Sequence, residues 1–327
     1  MQKLNARDAA ALIDCQDVAQ KPRFGERLVA LATHNITLYM LTVLIWGTTW
    51  FAIEFQLGTV APIVSVSYRY LLAAALLFGF ILLRGLNLKF GLKEHGWFAL
   101  MGLTLFGLNY VLTYSAQVYI TSALSAISFS TIVWLNIINS RVFFGVRAGR
   151  KVLFGALFGI AGLFTLFMPQ VSQISLSDSI FYGLLLSFGG AVAASLGSMA
   201  SQAAQKKRIP IIQSNAWGML YGAALSGGYA FATDLPFNFE FSTGYLVSLG
   251  YLSVFGSIVA FGAYLTLLGR IGAHRAGYAM VMFPVVALIV SALFEGLRID
   301  ATIVIGTILV LAGNLFVMDR GSETKRK

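Results

Sequence analysis

Residues 154–162, FGALFGIAG, come back as residues 305–313, IGTILVLAG. The two stretches lie 151 positions apart, and at that offset residues 106–165 align with residues 257–316 without a gap. Ser140 meets Ser291, Phe143 meets Phe294, Arg147 meets Arg298, Gly155 meets Gly306, and Ala161-Gly162 meets Ala312-Gly313. An offset of 148 sets Ala61-Pro62 beside Ile209-Pro210 and extends the likeness toward a five-segment unit. The segments on either side of these stretches are apolar, at 38–57, 62–83, 96–116, 122–143, 151–168, 180–203, 212–231, 245–268, 277–293 and 301–318. A membrane helix needs about 20 apolar residues, whereas a barrel strand shows about ten with alternating polarity, so these runs predict helices. The fold class is then all-α polytopic membrane protein, with ten transmembrane helices arranged as two inverted five-helix repeats. The repeats cover 38–168 and 180–318, between an N-terminal tail, 1–37, and a basic tail, 319–327. Five is odd, so the halves must face opposite ways. Inverted halves are a physical route to alternating access, because two similar units can exchange which side of a central cavity is open. A static duplicated bundle, acting as receptor or scaffold, is the alternative.

Composition agrees with burial in lipid. Of 327 residues 58% are hydrophobic and only 11% charged, against about 25% charged in a soluble domain. Little chain remains for a second, soluble domain. Residues 1–36 lack the apolar core of a cleaved signal peptide and read as a retained tail. The net charge of +10 is first a topology signal, since Lys and Arg concentrate on the cytoplasmic side. With both termini cytoplasmic, 21 of the 23 basic residues fall in cytoplasmic segments, Arg298 lies outside and Arg69 lies within a span. A lone cysteine, Cys15, excludes an intrachain disulfide, and no HExxH or phosphate-binding loop occurs. No cofactor is expected, and ATP-driven transport would need a separate ATPase. An ion or substrate gradient is left as the driving force, with proton coupling as one form of it. The basic groups are spread over several loops, which does not suit nucleic acid. The partners are a small-molecule substrate and the lipid bilayer, with monomer and homodimer both open.

Two ionisable residues fall inside spans, Glu54 in WGTTWFAIEF and Arg69 in SVSYRYLLAAALLF. Charge facing lipid is costly, so each must meet water, a substrate or a partner. Arg69 lies seven residues past Pro62, about 10 Å into the membrane, while Glu54 is three residues from the end of its span. A direct pair between them is strained by this difference in depth. Arg69 reads either as an anchor for a substrate carboxylate or as part of a structural polar network. Glu54 reads either as an interfacial residue or as a coupling acid. Trp46, Trp50, Tyr68, Tyr110, Tyr114, Trp134, Trp217, Tyr221, Tyr264 and Tyr278 could offer an amphipathic wall, though single aromatics are usually packing residues. Asn109, Gln117, Asn136 and Asn139 could line a cavity or join helices. Gly155/Gly159 and Gly218/Gly222 have close-packing spacing, and Pro284 inside the ninth span is a kink or gate candidate.

Taken together, Trp46-Gly47, Pro62 followed by Arg69, the paired FGALFGIAG and IGTILVLAG, and GRIGAHRAGYAMVMFPVVALIVSALFEGLRI at 269–299 resemble the EamA-type drug/metabolite transporter family. The likeness covers residues 38–318. It implies a proton-coupled or gradient-driven carrier in a bacterial inner membrane, often an exporter of amino acids or other amphiphilic metabolites, and no enzymatic step. Import by the same architecture is the runner-up. It also implies a central cavity built by helices 1–4 and 6–9. The family's acid after the ninth span matches Glu295, whereas Phe143-Phe144-Gly145-Val146-Arg147 lacks its counterpart.

Overall fold

The computed structural model describes residues 34–120, 125, 128–168, 178–294 and 299–318, except for the side chains of Trp50, Asp178, Ser291 and Met318. Both tails, the 169–177 connection, Glu295 and Arg298 lie outside the described residues. The structure is helical: α1 (Asn35–Glu54), α2 (Pro62–Leu83), α3 (92–116), α4 (Ile132–Phe144), α5 (Arg150–Leu166), α6 (Asp178–Lys206), α7 (Ile211–Ala232), α8 (243–271), α9 (Ala279–Phe294) and α10 (Ala301–Met318). Starts follow local chemistry. Pro62 opens α2, where its missing N–H costs nothing. Ser242 caps α8 by accepting from the Tyr245 N–H, and Asp300 caps α10 by accepting from Ile303 N–H at 2.9 Å. Gly272, at φ 85°, turns the chain out of α8 into a single turn, Ala273–Ala276, that precedes α9.

Among the described residues, six helical stretches are long and apolar enough on their own to cross a membrane: Asn35–Glu54, Pro62–Leu83, Leu92–Ala116, Ser179–Lys206, Thr243–Ile271 and Ala273–Phe294. The others differ for identifiable reasons. α5 is 17 residues long, and only 13 residues of α4 are described. α7 has 22 residues but is diluted by Gln213, Ser214, Asn215, Gly218 and Gly222, which are buried on a helix packed against α2 and α3.

Contacts between helices repeat themselves when the two halves are exchanged. α5 lies on α10 and α2 on α7, each against its counterpart. Three further contacts come in matched pairs: α3–α6 with α8–α1, α4–α6 with α9–α1, and α3–α7 with α8–α2. The α5–α10 seam is the plainest case. A Cβ on Gly155 would stand 2.6 Å from the Gly313 carbonyl oxygen, and one on Gly162 would stand 2.7 Å from that of Gly306. The N-terminal glycine of α5 therefore meets the C-terminal glycine of α10, and these counterpart helices run antiparallel. Only glycine permits such backbone approach, the usual device for joining helices in lipid.

α3 and α8 share a second feature: each turns π-helical midway, at Gly102–Leu108 and Leu252–Val259. Each packs closely through a glycine, the first against one on α7 and the second through its own Gly256. A Cβ on Gly222 of α7 would lie 2.5 Å from the Phe106 Cβ, and one on Gly256 would lie 3.0 Å from an Arg69 Nη. Segments of this kind widen a helix locally and recur at functional sites.

Candidate functional site

A cavity of about 230 Å³ opens between α1, α2, α3, α8 and α9, with a few residues of the α4 and α6 regions completing its wall. Its deep end is aromatic and its rim polar. Trp46 is fixed by donating from Nε1 to the Gly256 carbonyl at 3.1 Å and by an edge contact with Phe261, ring centroids 5.0 Å apart. Gly47 beside it lets α9 come close: a Cβ there would meet Val286, and Phe283 of the same helix reaches the cavity wall. Thr49, Ile53, Glu54 and Leu57 continue the face of α1 outward. Their spacing from Trp46, at i+3, i+7, i+8 and i+11, puts all of them on one side of the helix.

Arg69 enters from α2 and is 5% exposed, so its charge is almost wholly withdrawn from solvent. Its Nε donates to Ser257 Oγ at 2.8 Å, and that hydroxyl donates to the Leu252 carbonyl five residues back, along the π-helical stretch. Ser253 Oγ donates to the Arg69 carbonyl at 3.1 Å, so two bonds clamp α2 to the widened turn of α8. The guanidinium lies 5.9 Å from the Tyr110 ring centre and 5.5 Å from that of Tyr70. Cation–π contacts of this kind contribute about 2 kcal/mol when desolvated, less than is needed to replace a full hydration shell. No carboxylate reaches Arg69 among the described residues; Glu54 is exposed at the rim and makes no ion pair with it. The cavity thus presents a buried cation, held by a neutral hydroxyl, beside apolar rings.

The sequence candidates divide by position. Trp46, Glu54, Arg69, Tyr110 and Tyr114 line the cavity, and so do Asn109 and Gln117. Trp50 lies on α1 with its side chain outside the described set. Tyr264 stands one layer behind, its ring 5.2 Å from Trp46. Tyr68 donates to the Asn238 carbonyl and packs on Phe239 in the α7–α8 connection. Trp217 and Tyr221 gather around His95, whose Nδ1 is 2.8 Å from the Tyr221 hydroxyl. Tyr278 is buried with its hydroxyl against the glycines of the α5–α10 seam, and Trp134 is half-buried in the packing of α4. Asn136 and Asn139 join α4 to α6 through Ser195, at 2.7 and 2.9 Å. Pro284 does not end α9, but its missing amide frees the Met280 carbonyl from the helical ladder, and Met280 is a wall residue. Thr49, Ser253, Ser257, Phe261, Met280 and Phe283 escaped the sequence reading. Thr49 shares the face of Trp46, which is a legible signal; Ser253 and Ser257 sit in an apolar run where only the π-helical turn exposes their role.

Comparison with known proteins agrees with this architecture. The sequence matches the EamA-like transporter family over residues 35–168 and again over residues 181–318. It is 25% identical to the uncharacterized transporter YoaV of Bacillus subtilis, over 85% of this chain and 95% of that one. Protein PagO of Salmonella typhimurium is 24% identical over 86% and 95% of the two chains. The uncharacterized inner membrane transporter YedA of Escherichia coli is 31% identical over 38% of this chain and 40% of its own. A solved crystal structure superposes with a TM-score of 0.73, covering 87% of this chain and 96% of that one at 20% identity, a likeness of fold. The chain belongs to the EamA-like transporter family. It is a polytopic α-helical membrane protein with a duplicated domain, a secondary transporter of small molecules and not an enzyme.

Proposed function

We propose that this EamA-family chain exports a small amphiphilic metabolite, such as an amino acid, across a bacterial inner membrane. In this reading ten spans form two inverted repeats, 38–168 and 180–318, with both termini cytoplasmic. The antiparallel α5–α10 seam and the matched helix contacts support inversion. The concentration of Lys and Arg in alternate loops supports the orientation. The word "inner membrane" attached to the Escherichia coli relative supports the location. α1 then runs outward, and the cavity faces the outside.

The observation that carries the substrate reading is the buried guanidinium of Arg69 at the wall of the cavity, with no carboxylate beside it among the described residues. A carboxylate substrate supplies that missing charge, and a charge-assisted hydrogen bond of this kind contributes about 1.5–3 kcal/mol. Trp46 and Phe261 take the apolar part of the molecule. Glu54 at the rim attracts an ammonium group or exchanges a proton, which ties release to the proton gradient. The energy comes from that gradient or from the substrate's own.

The test is uptake of labelled compounds into proteoliposomes preloaded with the same unlabelled compound. A panel of phenylalanine, leucine, threonine, adenine, glucose and a lipophilic cation is run with and without an imposed proton gradient. Exchange of a carboxylate compound, and of no sugar, is expected. Exchange confined to the cation or the sugar overturns the carboxylate reading, and saturable binding with no exchange of any compound overturns transport.

A further inference from the structure

The repeat register carries the cavity-lining face of α1 onto α6. Gly256 corresponds to Leu105 at the 151-residue offset, and each lies against the first helix of the opposite half: a Cβ on Gly256 would stand 3.0 Å from Thr49, and one on Gly197 would stand 2.6 Å from the Leu105 Cβ. Thr49 and Gly197 are therefore counterparts, 148 residues apart, the offset that also pairs Pro62 with Pro210. At that offset Ile53, Glu54 and Leu57 become Ser201, Gln202 and Gln205. The first three line the open cavity. The second three are covered by the end of α8: Gln205 Nε2 donates to the Leu265 carbonyl at 2.9 Å and to Ser201 Oγ at 3.2 Å, and the Ala273 N–H donates to Gln202 Oε1 at 3.4 Å. Ser201 is 2% exposed and Gln202 8%.

The matched contacts fail here. α6 packs on the last turns of α8, but their counterparts, α1 and the last turns of α3, stand on opposite sides of the cavity mouth. Leu265 corresponds to Tyr114, so the twin of the Gln205–Leu265 bond is a Leu57–Tyr114 contact, and both of those residues line the opening. A row of Ser and Gln withdrawn from solvent, Gln205 half-buried and the other two buried, is also an expensive way to join two helices, since each amide must keep its partners.

We propose that Ser201, Gln202 and Gln205 are the wall of the second half of the pathway, shut in this conformation, and that the Gln205–Leu265 contact is its gate. The inference rests on the transport reading for its purpose, but the seam itself is tested without flux. When the gate parts, α6 offers an amide, Gln202, where α1 offers the carboxylate of Glu54. The two mouths then attract an ammonium group unequally, more strongly at Glu54 than at Gln202.

The experiment uses the full chain with Cys15→Ser, reconstituted in liposomes. A single Ser201→Cys is reacted with a membrane-impermeant maleimide from each side. In a separate variant, Gln205→Cys and Gly269→Cys are paired; a Cβ on Gly269 falls against the Gln205 side chain, so the two thiols face each other. The expected results are labelling of Ser201→Cys from one side only, at least threefold faster in the Gln205→Ala background. Oxidation of the cysteine pair should cut flux at least tenfold, with recovery on reduction. Labelling of Ser201→Cys that is absent from both sides in both backgrounds overturns the inference, as does undiminished flux through the oxidised pair. Gln205→Asn, which keeps an amide, guards against misfolding: it should label at the parental rate, and a rate equal to that of Gln205→Ala removes the gate role. If the parent shows no flux for any compound, transport fails while the labelling still decides whether the seam opens.

Discussion

At one end of the bundle α1 and α3 stop on either side of a cavity, with Glu54, Leu57 and Gln117 exposed around its rim. At the other end their counterparts, α6 and α8, are drawn together by Gln205 and Gln202. The backbone frame is nearly the same at both ends, because the helix contacts exchange with the halves. The side chains differ. Gln205 reaches a carbonyl across the seam, whereas Leu57 can offer only apolar surface to Tyr114. A hydrogen bond contributes about 0.5–1.5 kcal/mol net, enough to bias two otherwise similar arrangements by a factor of roughly two to ten. Symmetry of the fold thus supplies two conformations, and a few side chains set which one is populated when no substrate is bound.

That comparison can be broken first at its common axis. Gly306→Leu would drive a Cβ to 2.7 Å from the Gly162 carbonyl oxygen, and overpacking of this kind costs about 1–3 kcal/mol or more. Thermal unfolding in detergent should show a clear drop in Tm, with labelling at the two ends changed alike; loss of one end alone would mean the seam is not shared. Arg69→Ala should weaken binding of a carboxylate substrate by about ten- to a hundredfold, while Arg69→Lys, which keeps charge but loses the fixed bond to Ser257, should fall between. Isothermal titration measures this directly, and unchanged affinity removes Arg69 from the site. Leu57→Cys paired with Tyr114→Cys should cross-link poorly in the parent and several-fold better with Gln205→Ala, because loosening one mouth favours closure of the other; equal yields would uncouple the ends. The smallest effect is expected of Glu54→Gln, which makes the open rim resemble Gln202. Affinity for a zwitterion should fall about two- to fivefold at low salt and less at high salt, since the group is exposed and screened.

Much of this was legible from residue order. Pro62–Leu83 and Ala301–Met318 begin and end where the apolar runs do, and α3, α7 and α9 agree to within a few residues, because long apolar segments have no other stable form in lipid. Arg69 was visible as a charge in an apolar run, and Glu54 as its shallower neighbour. The repeat was visible too, since glycines that meet at a seam cannot drift. Ser257 was not, for a hydroxyl among apolar residues carries no periodic signal and gains its role from a widened turn of α8. Nor could Trp217 be told from Trp46 by type: one packs on His95 and Phe78, the other on Phe261 at the cavity wall, and only the helix partners separate them.

The central claim is that a substrate carboxylate crosses the membrane by way of Arg69. Counterflow of one labelled amino acid in proteoliposomes, parent against Arg69→Ala and against Lys325→Ala in the same lipid, tests it most directly. The account predicts overshoot with the parent and with Lys325→Ala, and its loss with Arg69→Ala. Equal overshoot in all three, or binding to the parent without any flux, would contradict it.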